Sequence, residues 1–404
     1  MKEEPVMKKL LALLLSMVMA ASLTVPALAA SPSGASRITI NLDGRMLIIP
    51  DGVSPEIKDG RTMVPIRAVS EALGADVGWD QTTKQVTLER AGVTIVMTVD
   101  SKTAYVNGEP VEMDVAPYIT NGRTLIPARY VAEFFGQKVD WDGAASTVSI
   151  TEDKSAVGES NLERWAMPMG AIQQGMNEGS HRWFAYHRGS TVAAYSPNSA
   201  FGGKEVLPSV RCRDMLSYGW DISSREELIA TVCYMTLHGH NEDFLEDVAY
   251  IETLTSAEYG QYLNSDGVDS YMFPYTKQLG EKWGDRGILC WDLFRMSSLV
   301  QWGYVAGYIT YPEALALLEP AATLLCENFS SWEEAYENYL EGYNWWARND
   351  VLDKDIWETN RGASYRMIAA DKNYNILDDT LFETGVIPVP GVTAQQLLQS
   401  VLED

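Results

Sequence analysis

In this chain of 404 residues, the segment Cys290-Trp291-Asp292-Leu293-Phe294-Arg295 sets an acid and a base three residues apart inside an apolar stretch. At helical spacing Asp292 and Arg295 share a face, with Ile288, Trp291, Leu299 and Trp302 on or beside it. A pair placed there is at least partly buried and must be compensated, either as an ion pair tying helices together or as reactive groups in a cleft. Further on, Ser330-Ser331-Trp332-Glu333-Glu334 precedes Tyr336, Tyr339, Tyr343, Trp345 and Trp346. The spacing from Ser330 puts Glu333 where it caps its own helix. The alternative makes Glu333 or Glu334 the partner of Asp292 in a glycosidase carboxylate pair, whose separation a sequence does not give.

His238-Gly239-His240, near Asn241, Asp243 and Glu246, lacks the i, i+4 histidine spacing of helical zinc sites, and no third ligand is fixed. It reads as a helix end, with Gly239 as the stop and the histidines complementing the helix dipole. His181 and His187 make no better metal case, no Gly-x-Ser-x-Gly elbow occurs, and no cysteine has an evident histidine partner. Catalytic candidates are therefore Asp292, Arg295, Glu333 and His240, with neither a metal nor a cofactor expected. Trp291, Trp332, Tyr339 and Trp345 are the candidate binding rings, able to stack on a sugar, although such a stripe more often packs a core.

The elements that must position these residues divide into two halves. The chain's length implies two domains, or one domain carrying a small module. Its formal net charge of -24 repels phosphate backbones, so nucleic acid is not an expected partner. Met7-Lys8-Lys9, an apolar run from Leu10 to Leu23 and the small-residue site Ala27-Leu28-Ala29 have the three regions of a secretory signal peptide over residues 1–30. That leader predicts a secreted, cell-envelope-associated chain with no membrane span after cleavage. Cys212, Cys233, Cys290 and Cys326 are widely spaced, and both disulfides and buried free thiols are compatible with them.

Asp59-Gly-Arg-Thr-Met-Val-Pro-Ile-Arg returns as Asn121-Gly-Arg-Thr-Leu-Ile-Pro-Ala-Arg, and the register holds through Trp79-Asp80 and Trp141-Asp142. Alternating apolar residues around Asp43-Gly44 and Asn107-Gly108 predict hairpins. Each copy then runs through a strand into Pro65 or Pro127 and a short helix ended by Gly74 or Gly136. The ordered Gly-Arg-Thr, Pro, Arg, Glu, Gly and Trp-Asp motifs over 36–152 resemble the copper amine oxidase N-terminal-like, or stalk, domain. The resemblance implies a small antiparallel sheet wrapped round a helix, common on exported proteins and carrying neither the copper nor the redox cofactor of the oxidases. Residues 31–152 contain no His and no Cys, so imidazole or thiolate ligation of copper has no residues there.

Small polar residues at 153–162 read as an exposed linker, and helix signals dominate the remainder, 163–404. Five capping boxes, opening at Ser223, Thr255, Thr310, Ser330 and Thr393, predict helices over about 225–238, 256–263, 312–328, 331–347 and 394–403, and another spans 287–304. Pro320 predicts a kink. Gly219-Trp220-Asp221-Ile222, Gly239-His240, Trp291-Asp292 with Arg295, Gly303-Tyr304, Ser331-Trp332-Glu333 and Tyr339 to Gly342 resemble, over roughly 216–350, a bacterial domain-of-unknown-function family, number 1266. That resemblance implies a helical domain with no established activity. The fold class expected is α+β: a stalk-like module plus a larger mainly α-helical domain. Three functions fit: an exported envelope protein binding a cell-wall polymer or surface protein, a secreted hydrolase of wall glycan or peptide, or a structural or oligomerising domain.

Overall fold

Val64 and Ile126 occupy equivalent positions of the two sequence copies, and in the computed structural model they face each other across an antiparallel pair. The structure describes residues 38–49, 53–176, 192–193, 205–351 and 354–403. The leader and both His181 and His187 lie outside these described residues. In the first copy, β1 (Thr39–Leu42) and β2 (Arg45–Met46) form the first hairpin, β3 (Glu56–Lys58) and β4 (Arg61–Pro65) the second. Then come α1 (Ile66–Ala72), β5 (Asp76–Asp80) and β6 (Gln85–Arg90). A meander of β7 (Val93–Thr98), β8 (Thr103–Val106) and β9 (Glu109–Glu112) leads into the second copy. That copy repeats the plan as β10 (Tyr118–Thr120), β11 (Arg123–Pro127), α2 (Ala128–Phe134), β12 (Gln137–Asp142) and β13 (Thr147–Glu152).

Because Met63 pairs with Pro127 and Pro65 with Leu125, β4 and β11 are related by a local two-fold axis through the Val64–Ile126 pair. Each strand's proline starts the following helix, where a missing N–H costs nothing. Gly74 and Gly136 follow those helices with φ of 86° and 72°, the left-handed geometry expected of them. One pairing is parallel: β1 runs alongside β13, burying Ile40 and Leu42 beside Val148 and Ile150. The first strand of copy one thus closes on the last strand of copy two, around the buried faces of α1 and α2.

The helical half is built round α9, Leu289–Ala306, whose residues are almost all buried. A helix apolar on every side must be surrounded, and it is enclosed by α3 (Leu162–Met176), α4 (Pro208–Trp220), α5 (Arg225–Leu237), α6 (His240–Thr253), α10 (Tyr311–Asn328) and α11 (Trp332–Trp346). The periphery holds α7 (Ser256–Leu263), α8 (Asp269–Trp283), α12 (Asn360–Ala370), α13 (Thr380–Thr384) and α14 (Ala394–Leu402). Pro320 lies inside α10, which runs unbroken to Asn328. The boxes at Thr255, Thr310 and Thr393 form with both bonds present. At the two Ser-Ser pairs the cap moves one residue on, to Ser224 and Ser331, so the side chain returning to Ser330 belongs to Glu334. Glu333 therefore does not cap its helix; Arg286, bonded to Glu334 at 2.7 Å, selects this register.

The segment expected as an exposed linker contains a 3-10 turn, Lys154–Val157, and buries Val157 and Asn161. Asn161 Nδ2 donates to the Gly385 carbonyl and Ser160 Oγ to that of Ile387, pinning the connection to the far end of the chain. The β module also abuts the helices directly. Arg213 on α4 donates from Nε to the Ala306 carbonyl, from Nη1 to Asp76 and from Nη2 to the Gly74 carbonyl. Beside it, the Ala91 amide donates to the Gly307 carbonyl at 2.8 Å. A Cβ on Gly307 would lie 2.0 Å from the Gly74 oxygen, so the seam requires glycine. From Ile38 onward, both halves form one compact unit.

Candidate functional site

Asp292 sits in the first turn of α9 and is 2% exposed. Its Oδ2 accepts the Asn241 backbone N–H at 2.8 Å, so a side chain of α9 caps the amino end of α6. Oδ1 faces Arg295 Nη1 at 3.7 Å and His240 Nδ1 at 3.4 Å. Arg295 in turn lies 2.9 Å from His240 Nδ1. A guanidinium only donates, so this contact makes Nδ1 the acceptor and puts the imidazole proton on Nε2. Arg295 is stacked over Trp220 and Trp291, with ring centroids 4.6 and 4.9 Å away. Burial pushes the Arg295 pKa down, and the Asp292 carboxylate pulls it back.

Gly239 makes this convergence possible. Its φ of -106° is extended and so provides no left-handed stop, and His240 opens a new helix; the expected helix-end role at the carboxyl dipole falls away for His240. A Cβ at position 239 would lie 2.2 Å from Asp292 Oδ2, so the missing side chain lets the carboxylate reach the helix end.

The structure therefore brings Asp292, Arg295 and His240 together and leaves Glu333 apart, exposed in the first turn of α11. Glu333 lines neither of the two cavities beside α6 that His240 and Asp292 border. Of the binding rings, Trp291, Trp332 and Tyr339 are buried, and their faces meet other side chains rather than solvent. Trp291 packs on Tyr339, Tyr343 and Trp346, and Trp332 on Trp165 and Phe382. Burial pushes the Tyr339 hydroxyl pKa up, and Arg361 lowers it in part. All four cysteines are free thiols; burial raises the pKa values of Cys212 and Cys290.

Trp345 alone among those rings reaches an open space. A cavity of about 430 Å³ lies between α6, the first half of α8 and the end of α11. Its rings are Tyr250, Phe273, Trp345 and Trp346, and Met272, Ile251 and Thr276 form its floor. Asp243, Asp247 and Asp269 line it with His240 and Arg348. Trp346 is 44% exposed and also packs on Trp291, joining the cavity to the Asp292 cluster. A second cavity of about 510 Å³, lined by Gly239, Asn241, Glu242, Glu246 and Asp292, opens elsewhere along α6. Asp243, Asp247 and Tyr250 form an i, i+4, i+7 stripe that a helix over 240–253 would have exposed; reading 238–240 as a helix end hid it.

Residues 42–150 match the family model described as Copper amine oxidase N-terminal domain. Residues 215–375 match the one described as Protein of unknown function (DUF1266). The chain couples these two domains in that order. It is also similar to Uncharacterized protein YbeU of Escherichia coli strain K12, with 27% identity over 140 residues, 34% of this chain. The match spans 59% of that relative's length. Against Uncharacterized protein YbeR of the same organism, identity is 23% over 172 residues, 39% of this chain and 72% of the relative. The acid, base and aromatic residues described above, Asp292 to Arg348, all fall inside the DUF1266 match, as do His240 and the α6 stripe. Among the described residues, no three His, Cys, Asp or Glu side chains converge as a metal centre requires, and no helix is long and apolar enough to cross a membrane.

Proposed function

We propose that the chain is an exported cell-envelope protein whose stalk-like module holds a helical binding domain, and that the cavity beside α6 takes a wall or surface component. The carrying observation is the contrast between two sites. Asp292 is buried with its Oδ2 capping α6 and Arg295 bonded to His240, whereas the neighbouring cavity keeps Asp243, Asp247, Asp269, Tyr250 and Trp346 exposed. The glycosidase pair considered for Asp292 and Glu333 would need both carboxylates at one reacting bond, and Glu333 stands apart from Asp292. Export rests on the three-part leader sequence at the amino end.

The test is sedimentation of the purified chain, without its leader, with isolated Gram-positive wall preparations at low and moderate salt. The wild type pellets with the wall, and Trp346→Ala, at an exposed cavity ring, reduces the pelleted fraction several-fold. Failure to pellet at both salts would remove the wall reading, and release of soluble glycan or peptide would replace it with the hydrolase.

A further inference from the structure

We propose that the cavity between α6, α8 and the end of α11 is a site for a primary ammonium group on a compact organic ligand. This deepens the binding function proposed above by naming the ligand's chemistry, and the cavity is where that proposal rests.

Volume sets the scale. About 430 Å³ lies in the range of small-molecule pockets and is ample for an amino sugar or a short aliphatic amine. Charge sets the sign. Three carboxylates, Asp243, Asp247 and Asp269, face the space against the single guanidinium of Arg348 and the imidazole of His240. Among the described residues, none of the three aspartates makes a hydrogen bond or salt bridge, so each keeps acceptor capacity for a donor brought in from outside. Desolvation and the neighbouring Asp243 hold the Asp247 carboxyl above its usual range, against the pull of Arg348, so an entering cation would relieve the repulsion.

The walls decide between a bare metal ion and an organic cation. The carboxylates are spread round the cavity and do not converge in a group of three that could ligate an ion. Tyr250 and Trp346, 49% and 44% exposed, supply aromatic surface between them. A cation carried on carbon satisfies both features, because its ammonium donates to carboxylates while its apolar body covers rings. A quaternary ammonium would leave the carboxylates without a donated hydrogen bond, so the primary form fits better. His240 contributes as a donor: with Nδ1 accepting from Arg295, its Nε2–H is available for a ligand hydroxyl.

The experiment is calorimetric titration of the full chain, without its leader, with glucosamine and 1,5-diaminopentane. N-acetylglucosamine and glucose are the neutral controls, and magnesium chloride is the inorganic one. Both ammonium probes bind, and Asp247→Asn and Asp269→Asn each raise Kd at least tenfold. Both positions are exposed, and neutralising the strained Asp247 charge removes repulsion, so the variants melt no lower than the wild type and loss of binding reads the site. N-acetylglucosamine binding as tightly as glucosamine, magnesium binding in their place, or no heat with either ammonium probe would overturn the inference. Wall pelleting that survives Asp247→Asn unchanged would overturn the ligand class and leave wall binding standing. Ammonium binding without pelleting would support the site and remove the wall.

Discussion

Asp292 works as a structural group because one buried carboxylate meets both a helix end and a guanidinium charge. Oδ2 meets the Asn241 N–H, and Oδ1 faces Arg295 and His240. Removing one member of a buried charged set strands the rest, which typically costs about 3–5 kcal/mol. Asp292→Ala is expected to lose that much in urea unfolding. Asp292→Asn keeps an acceptor for Asn241 and is expected to lose less. Gly239→Ala forces a methyl onto Oδ2 and is expected to cost about 1–3 kcal/mol by overpacking. The two sites are coupled, so Gly239→Ala is expected to cost markedly less in the Asp292→Ala background, which removes the contacted oxygen. Strict additivity in that double-mutant cycle would show that Gly239 is not there to admit the carboxylate.

At the scale of elements, helix starts were legible wherever a single hydroxyl residue preceded the apolar run. Thr255, Thr310 and Thr393 cap where their spacing says. Where two serines are adjacent, local sequence allows two registers, and a partner distant in the chain chooses: Arg286 for Glu334. The same limit hid α6. Its start is marked by a glycine whose capping carboxylate, Asp292, comes from another helix, so the only local signal for a first turn at His240 was the acidic pair Glu242 and Asp243. The Asp292–Arg295 pairing was readable from spacing; its cavity neighbour was not, because Asp243, Asp247, Asp269 and Trp346 come from three elements. The register at Ser331 has a pH signature. Burial raises the Glu334 pKa, but Arg286 and Ser330 outweigh it and hold the carboxyl below the usual glutamate range. A folded-state pKa below the unfolded value adds stability that is fully present above the unfolded value and is lost as pH falls through the folded one. Wild type minus Glu334→Gln is therefore expected to give a stability difference that shrinks on acidification from about pH 5 downward. A stability difference that stays flat with pH would show that Arg286 and Ser330 do not hold the Glu334 carboxylate.

For the whole molecule, the question is whether a duplicated module can be a loose stalk when its edge is bonded to the helices. Arg213 bridges Asp76, Gly74 and Ala306, Tyr304 donates to Glu152 at 2.6 Å, and the Ala91 amide bonds the Gly307 carbonyl. These contacts cross between residues far apart in sequence, so their loss should uncouple the halves instead of unfolding either one. Gly307→Ala is the sharp test. It places a Cβ 2.0 Å from a backbone oxygen, which cannot rotate aside as a side chain could. Gly60→Ala is the control, because its φ of 74° carries the left-handed strain with no atom within 4 Å of the new Cβ. The strain alone is worth about 1–2 kcal/mol. Calorimetry of the wild type is expected to show one cooperative transition, because the seam joins both cores. Gly60→Ala lowers the transition slightly and keeps it single. Gly307→Ala splits it in two, with the β module and the helical half melting separately, and speeds protease cleavage between Glu152 and Leu162. Equal behaviour of the two variants would mean that the seam carries no coupling and that the module moves as a free spacer.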